Sequence, residues 1–303
     1  MLIESATRLL ALRGSSVVEQ LLGRFRLLAE AARTDSATLY EARDEIAGEA
    51  ASVTTLAPES IRTPGHIRAF QKRVQVVRGM DSPHTAKPLS AGLLDGQWFV
   101  ACAGAPGLTV ERFSAQAGAL PPDEAFALGA QLFRALSHLH ARNIAVHQLT
   151  PAAVLIDPDG VLKIWNVYMV TPPKTASKTL ALGKMNFLAM TYAPAGETGG
   201  NSRAREARDV YGAGMVLAHL IAGGPPVQPA SLSELLTFFQ KPRLTFAEPL
   251  KPELEAIVLS ALSPVAAKRA AARRVYSDIL AATGLKTRQV MRISEDIARR
   301  VAG

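Results

Sequence analysis

Apolar residues first gather at Leu9, Leu10 and Leu12, then at Val17, Val18, Leu21 and Leu22, with Gly14-Ser15-Ser16 between the two groups. That spacing predicts a short helix, a break and a second turn, an N-terminal helical extension over residues 1–24. From Phe25 the texture changes to short β-like runs at 25–28, 37–42 and 50–56, separated by polar segments such as Arg43-Asp44-Glu45. Ile67, Phe70, Val74 and Val77 restore helical spacing over 65–80. Runs at 86–94 and 97–103 follow, joined by Asp95-Gly96, a strong hairpin signal. Beyond Gly107 the chain reads as mostly helical. Pro121-Pro122-Asp123-Glu124 opens a helix with proline and acids in its first turn, and Ala127, Leu128, Leu132, Phe133, Leu136 and Leu139 give it an apolar face. Residues 143–166 read as loop, strand, turn and strand, with Asp157-Pro158-Asp159-Gly160 at the turn. A Thr-, Lys-, Pro-, Gly- and Ser-rich stretch over 170–205 predicts a long loop, and helices resume at 209–222, 231–240, 250–262 and 274–282.

Composition adds bounds rather than a function. The chain has 303 residues, 48% hydrophobic and 20% charged, enough for one large domain or two packed lobes. No run reaches the roughly 18 consecutive apolar residues of a membrane span. Met1-Leu2-Ile3-Glu4-Ser5 carries an early acid and no basic start, so a secretory signal is not expected. Cys102 is the one cysteine and can form no internal disulfide, which fits a cytoplasmic protein. The net charge of +8 is spread along the chain, so no specific nucleic-acid site is expected. The densest basic region runs from Lys268 to Arg300. Within it Val290, Ile293, Ile297 and Val301 make residues 285–303 a basic amphipathic helix. Its open roles are packing on its own domain and docking on a partner or a membrane surface.

Several local sequences, in order, resemble the bacterial, eukaryotic-like Ser/Thr protein kinases. Tyr40-Glu41-Ala42-Arg43-Asp44-Glu45 with Gly48-Glu49 resembles the family's strand 2 and the turn into strand 3. Ser82-Pro83-His84 resembles the junction after helix C, and Leu139-His140 the end of helix E. Leu149-Thr150-Pro151 and Val154-Leu155-Ile156-Asp157 resemble the catalytic loop and the following strand. Ala193-Pro194, Asp209-Val210-Tyr211 and Gly214 resemble the end of the activation segment and helix F. The resemblance covers about residues 25–282. It implies an α+β, bilobal protein-kinase-like fold, with a small antiparallel β-rich N-lobe over 25–104 and a larger helical C-lobe over 105–284.

The positions that carry the family's chemistry hold other residues here. The glycine positions of the phosphate loop fall on Ala32, Thr34 and Ala37. The strand-3 lysine falls on Thr54 and the helix-C glutamate on Arg73. Gln148 stands where the aspartate would accept the hydroxyl proton, or one register earlier; in either register the base is missing. The two metal-ligand positions fall on Ala153 and Asn166, and Tyr168 replaces the mobile glycine two residues later. Asp157 and Asp159 read as turn formers, His147 as structural, and Cys102 as a small core residue. Apolar residues stay at the family's stacking positions: Val77, Leu89, Val146 and Val167 in one column, Leu39 and Leu155 in the other. Asp209 matches the aspartate that anchors the catalytic-loop backbone.

Kept packing with replaced chemistry predicts a pseudokinase without enzymatic activity, with ATP and Mg binding absent or very weak and no metal site. Its expected role is a protein-binding scaffold or allosteric regulator. Expected partners are another protein, such as an active kinase or a larger assembly, and further copies of itself through the terminal helices. The alternatives are a metal-independent nucleotide or small-ligand sensor, and an enzyme with unconventional phosphoryl or nucleotidyl transfer. Thr171, Thr175, Ser177 and Thr179 are candidate phosphorylation sites for a true kinase.

Overall fold

The computed structural model describes residues 17–146, 148–170, 187–194 and 201–302. They form two compact units. One holds residues 17–81, 86–107 and 168–170; the other holds Ser82–Thr85, Leu108–Val167 and the later residues.

The first unit is an antiparallel sheet with one helix. Its strands are β1 (Val17–Leu22), β2 (Phe25–Thr34), β3 (Ala37–Asp44), β4 (Glu49–Leu56), β5 (Pro88–Leu94) and β6 (Gln97–Ala103). Helix α1 (Pro64–Arg78) follows β4. The strand order is β1-β2-β3-β4-β6-β5. Asp95 and Gly96 both take positive φ, 49° and 76°, as a two-residue hairpin between β5 and β6 requires. One face buries Leu22, Phe25, Leu27, Ala42, Ala51, Val53, Phe99 and Ala101, with Tyr40 and Leu94 packed against them. Each large apolar side chain so buried contributes about 1.5–3 kcal/mol. Helix α1 starts at Thr63, whose Oγ1 accepts from the His66 amide at 3.2 Å, and it buries Phe70, Val74 and Val77. Phe70 meets the edge of Trp98 with ring centres 5.3 Å apart.

The N-terminal expectation needs correction. Val17–Leu22 is a strand, not part of a helical extension. Leu22 pairs with Phe25 across Gly23-Arg24, and β1 adds to the edge of β2. A short apolar run cannot distinguish helix from strand by period, and here a neighbouring sheet edge offers backbone partners that a lone turn lacks. Residues 1–16 lie outside the described residues. Leu89 also departs from its expected stacking position: it is 44% exposed, because the pleat of edge strand β5 turns it outward. Val77, Val146, Val167, Leu39 and Leu155 are all buried.

The second unit is helical around one small sheet. Its elements are β7 (Leu108–Thr109), α2 (Val110–Ala117), α3 (Pro122–His140), β8 (Val154–Ile156), β9 (Leu162–Ile164), α4 (Phe187–Thr191), α5 (Ser202–Ala222), α6 (Leu232–Gln240), α7 (Pro252–Ala261), α8 (Ala272–Thr283) and α9 (Thr287–Ala302). Most of α3 is buried, and so is α5 from Ala207 to Ile221. Helix α5 begins seven residues before the apolar pattern does. Its first two turns are polar, and the start is set by Asn201, whose Oδ1 accepts from the Ala204 amide at 3.0 Å. The loop expected over 170–205 therefore contains α4 and the start of α5. The candidate phosphorylation sites Thr171, Thr175, Ser177 and Thr179 lie outside the described residues, as does His147.

The unit boundary differs from the expected break at 104/105. Ser82–Thr85 belong to the helical unit because His84 is bonded there: its amide oxygen accepts from Ile164 N at 3.1 Å, and its Nδ1 lies 3.0 Å from Leu162 O. Tyr168 belongs to the sheet unit, where its hydroxyl donates to Ala86 O at 3.0 Å. The basic C-terminal helix is not a separate segment. Val290, Ser294, Ile297 and Ala298 are buried within the helical unit, so its apolar stripe packs on its own domain. No described helix is long and apolar enough to cross a membrane.

Candidate functional site

The residues matched to the family's catalytic loop lie between α3 and β8, beside the start of α5. Asp209, 1% exposed, holds this loop by its backbone. Its Oδ2 accepts from the Val146 amide at 2.8 Å and from His140 Nε2 at 2.9 Å. A buried carboxylate is costly unless such donors meet it. A Cβ on Gly212, three residues along α5, would lie 2.8 Å from Leu149 O, so only glycine lets α5 approach the loop this closely.

Three of the expected site positions come together here. Asn166, two residues past β9 and 1% exposed, donates through Nδ2 to Gln148 O at 2.6 Å. Ala153 is fully buried, and its carbonyl accepts from the Trp165 amide at 3.3 Å. Trp165 Nε1 donates to Ala152 O at 2.8 Å. The metal-ligand position at Asn166 is thus fastened to the loop that carries Gln148 and Ala153. Asn166 Oδ1 is buried and has no hydrogen-bond partner among the described residues. No cluster of three or more His, Cys, Asp or Glu suited to a metal occurs among the described residues.

The remaining positions lie in the sheet unit. Ala32, Thr34 and Ala37 flank the tight β2–β3 hairpin, where Thr34 pairs with Ala37, and both alanines are buried. Thr54 is 4% exposed on β4, between Leu39 and Val100. Arg73 is half-buried on α1, three residues after Phe70 and four before Val77. Asp157 shapes its turn as expected. Its Oδ1 accepts from the Asp159 and Val161 amides at 3.0 and 2.8 Å, and its Oδ2 pairs with Lys163 at 2.7 Å. Cys102 is a core residue, 5% exposed, with Sγ 3.6 Å from the Tyr168 hydroxyl. Burial pushes the Tyr168 hydroxyl well above its usual range.

Two polar residues hold the strand leading to Asn166: His84, read from sequence only as part of a junction, and Gln131, which pattern reading passed over. His84 is fully buried beside β9. Burial, with Arg134, His138 and Lys163 nearby, pushes its pKa down to about 4, so the ring is neutral. A carbonyl can only accept, so His84 must carry its proton on Nδ1 and donate to Leu162 O. Gln131 Oε1 accepts from the Leu162 amide at 3.0 Å. The signal for Gln131 was its place: a polar residue in the middle of an apolar helix face.

No family model matches the chain. Curated relatives do. The serine/threonine-protein kinase PrkC of Bacillus subtilis is 24% identical over 211 residues, 69% of this chain and 32% of its own length. The probable serine/threonine-protein kinase PknB of Lactococcus lactis is 22% identical over 243 residues, 78% of this chain and 38% of its own length. The serine/threonine-protein kinase PknE of Mycobacterium tuberculosis is 24% identical over 211 residues, 70% of this chain and 37% of its own length. The chain thus spans about a third of the length of these relatives. Among solved structures, the Mycobacterium tuberculosis PknI kinase domain matches with a TM-score of 0.59 at 19% identity, covering 87% of this chain and 98% of that one.

These relatives overturn two expectations, that the chain is no enzyme and that ATP and Mg are not its ligands, since the proteins it resembles are named serine/threonine kinases. The physical reason is that the substituted positions prove less than they suggest. Phosphoryl transfer runs through a loose transition state, and catalysis is mostly positioning and electrostatics. A missing general base removes about 10²–10⁴ in rate, not the binding of nucleotide. Magnesium is usually held by few protein ligands and keeps phosphate oxygens and waters, so Asn166 Oδ1 fits as one neutral ligand while Ala153 offers none. The chain has the protein kinase fold and is a relative of the bacterial serine/threonine protein kinases.

Proposed function

We propose that the chain is a cytoplasmic, regulatory kinase-fold protein that recognises an active serine/threonine kinase and modulates its phosphoryl transfer, with Mg·ATP as its small ligand. The supporting observation is the loop between α3 and β8. Asp209 holds its backbone at Val146 N, 2.8 Å away, and is itself bonded to His140 Nε2 at the end of α3 at 2.9 Å, while Gln148, Ala153 and Asn166 supply no carboxylate at the family's chemical positions. A loop fixed in shape but carrying neutral groups suits recognition of a protein surface more than rapid proton transfer. The ligand classes come from the relatives' names. The test is an assay of the kinase domain of a relative such as PrkC on a protein substrate, with and without one equivalent of this chain. A severalfold change in kcat/KM, lost on loosening the loop with Asp209→Ala, is expected; identical rates at every ratio of the two proteins would sink the idea.

A second reading, phosphoryl transfer by the chain itself, is favoured by Asn166 Oδ1, a buried oxygen with no hydrogen bond among the described residues. It predicts labelled phosphate transfer from ATP in magnesium that disappears in Asn166→Ala. Transfer equal in both proteins would remove Asn166 from that role.

A further inference from the structure

We infer that Gln131 is a positioning residue through which the C-terminal helix α9 sets the β8–β9 hairpin, and with it the Asn166–Gln148 contact. The inference stands on geometry and not on the proposed function. Gln131 lies in the middle of α3, 2% exposed among apolar neighbours. Its amide nitrogen has two protons, and each is used. One goes to Gly160 O in the β8–β9 turn at 3.1 Å, the other to Ser294 Oγ on α9 at 2.8 Å. Its Oε1 accepts from Leu162 N, the first amide of β9, at 3.0 Å. One side chain thereby joins α3, the turn, the strand and the C-terminal helix.

Ser294, fully buried, is oriented for this contact because its hydroxyl proton is donated to Val290 O at 3.0 Å, leaving a lone pair for Gln131. Helix α9 sits directly on the turn. A Cβ on Gly160, whose φ is +76°, would come within 2.3 Å of the Ser294 backbone carbon and oxygen. Val290 and Ile297 bury the flanks, and Arg300 pairs with Glu124 in the first turn of α3. From Leu162 the chain runs through β9 and two residues beyond it to Asn166, which donates to Gln148 O. The seating of α9 is therefore transmitted toward the candidate site through the three buried hydrogen bonds of Gln131, the kind of network that fixes one geometry. Packing alone would be served by a leucine at position 131.

The test uses the full chain with Gln131→Met and, separately, Gly160→Ala, followed by amide hydrogen exchange and by the indole N–H resonance of Trp165. Met keeps the bulk of Gln131 and removes its three bonds. Ala at 160 forces α9 off the turn. Both variants are expected to speed exchange at residues 165–167 at least tenfold and to shift the Trp165 indole signal, while α5 amides keep their protection. Those groups touch neither substituted residue, so a role limited to local contact would leave them unmoved. Unchanged exchange at 165–167 in Gln131→Met overturns the inference. So does a loss of protection spread equally over α5, which would mark general destabilisation. If Gly160→Ala does not fold, Gln131→Met decides alone.

Discussion

The two units treat the family's polar positions in opposite ways. In the sheet unit, those positions hold residues without an acid: Ala32 and Ala37 are buried in a hairpin, Thr54 is buried on β4, and α1 carries Arg73. Around them the unit is stabilised by side-chain packing and by the sheet's own backbone ladder. In the helical unit, Asp209, Gln131, His84 and Asn166 stay polar and buried, each bonded to backbone that lies far away in sequence, and half-buried His140 donates to the Asp209 carboxylate. A neutral buried position tolerates substitution by another neutral residue of similar size. A buried polar residue that satisfies distant backbone groups does not, because its loss strands every partner at once. The loop geometry of this protein therefore depends on its helical unit's hydrogen bonds more than on its sheet.

The largest effect is expected from Asp209→Ala. Removing this buried carboxylate leaves Val146 N and His140 Nε2 without this acceptor, at a cost of about 1–3 kcal/mol for each donor. Urea unfolding of the helical unit measures it; a cost near that of an ordinary surface substitution would contradict the difference between the units.

Acid should act on the helical unit next. Burial pushes both His84 and His219 down to about 4, against 6.5 for an ordinary histidine. Between those values the unfolded chain binds protons that the folded chain refuses. Their contribution is thus fully present above about pH 6.5 and is lost as pH falls through about 4, on the order of 3 kcal/mol for each ring. His84 faces Arg134, Lys163 and His138, which reinforce the effect. His219 lies with Nδ1 2.8 Å from the Tyr192 hydroxyl. Thermal unfolding from pH 7 to pH 4 should show the helical unit weakening, and His219→Phe should flatten part of that slope. A pH-independent midpoint would show that neither ring is held neutral.

Smaller effects are expected in the sheet unit. Tyr168→Phe removes the hydroxyl that donates to Ala86 O and should cost about 1 kcal/mol. Ala37→Gly should cost about 0.5–1 kcal/mol through chain entropy in β3 alone. Denaturant midpoints check both. A loss from Ala37→Gly that exceeds the loss from Asp209→Ala would reverse the ranking of the two units.

Much of the fold could be read from pattern, because period depends on local geometry. The long apolar face of α3, the strands over 37–56, the Asp95-Gly96 hairpin and the helices after Ser231 appear where spacing and turn chemistry put them. The misreadings share a cause. Val17–Leu22 became a strand because β2 offered an edge, and α5 began early because a cap at Asn201 outweighed a polar first turn. Leu89 was apolar in the right place yet turned outward on an edge strand. In each case the deciding partner lies outside the window in which periodicity is read.

The site divides in the same way. The resemblance to the kinase family located Thr54, Arg73, Gln148, Ala153 and Asn166 and picked out Asp209 as the retained anchor. It could not weigh them: their replacement predicted no catalysis and little or no nucleotide binding, and the kinase relatives overturned that expectation. Sequence by itself determined the order of elements, the apolar faces and which chemical groups the chain carries. Tertiary structure decided which of those groups meet. Asn166 reaches Gln148, His140 reaches Asp209, and Ser294 reaches Gln131 across 163 residues, because burial makes an unpaired polar group expensive and the chain must fold until each finds its partner.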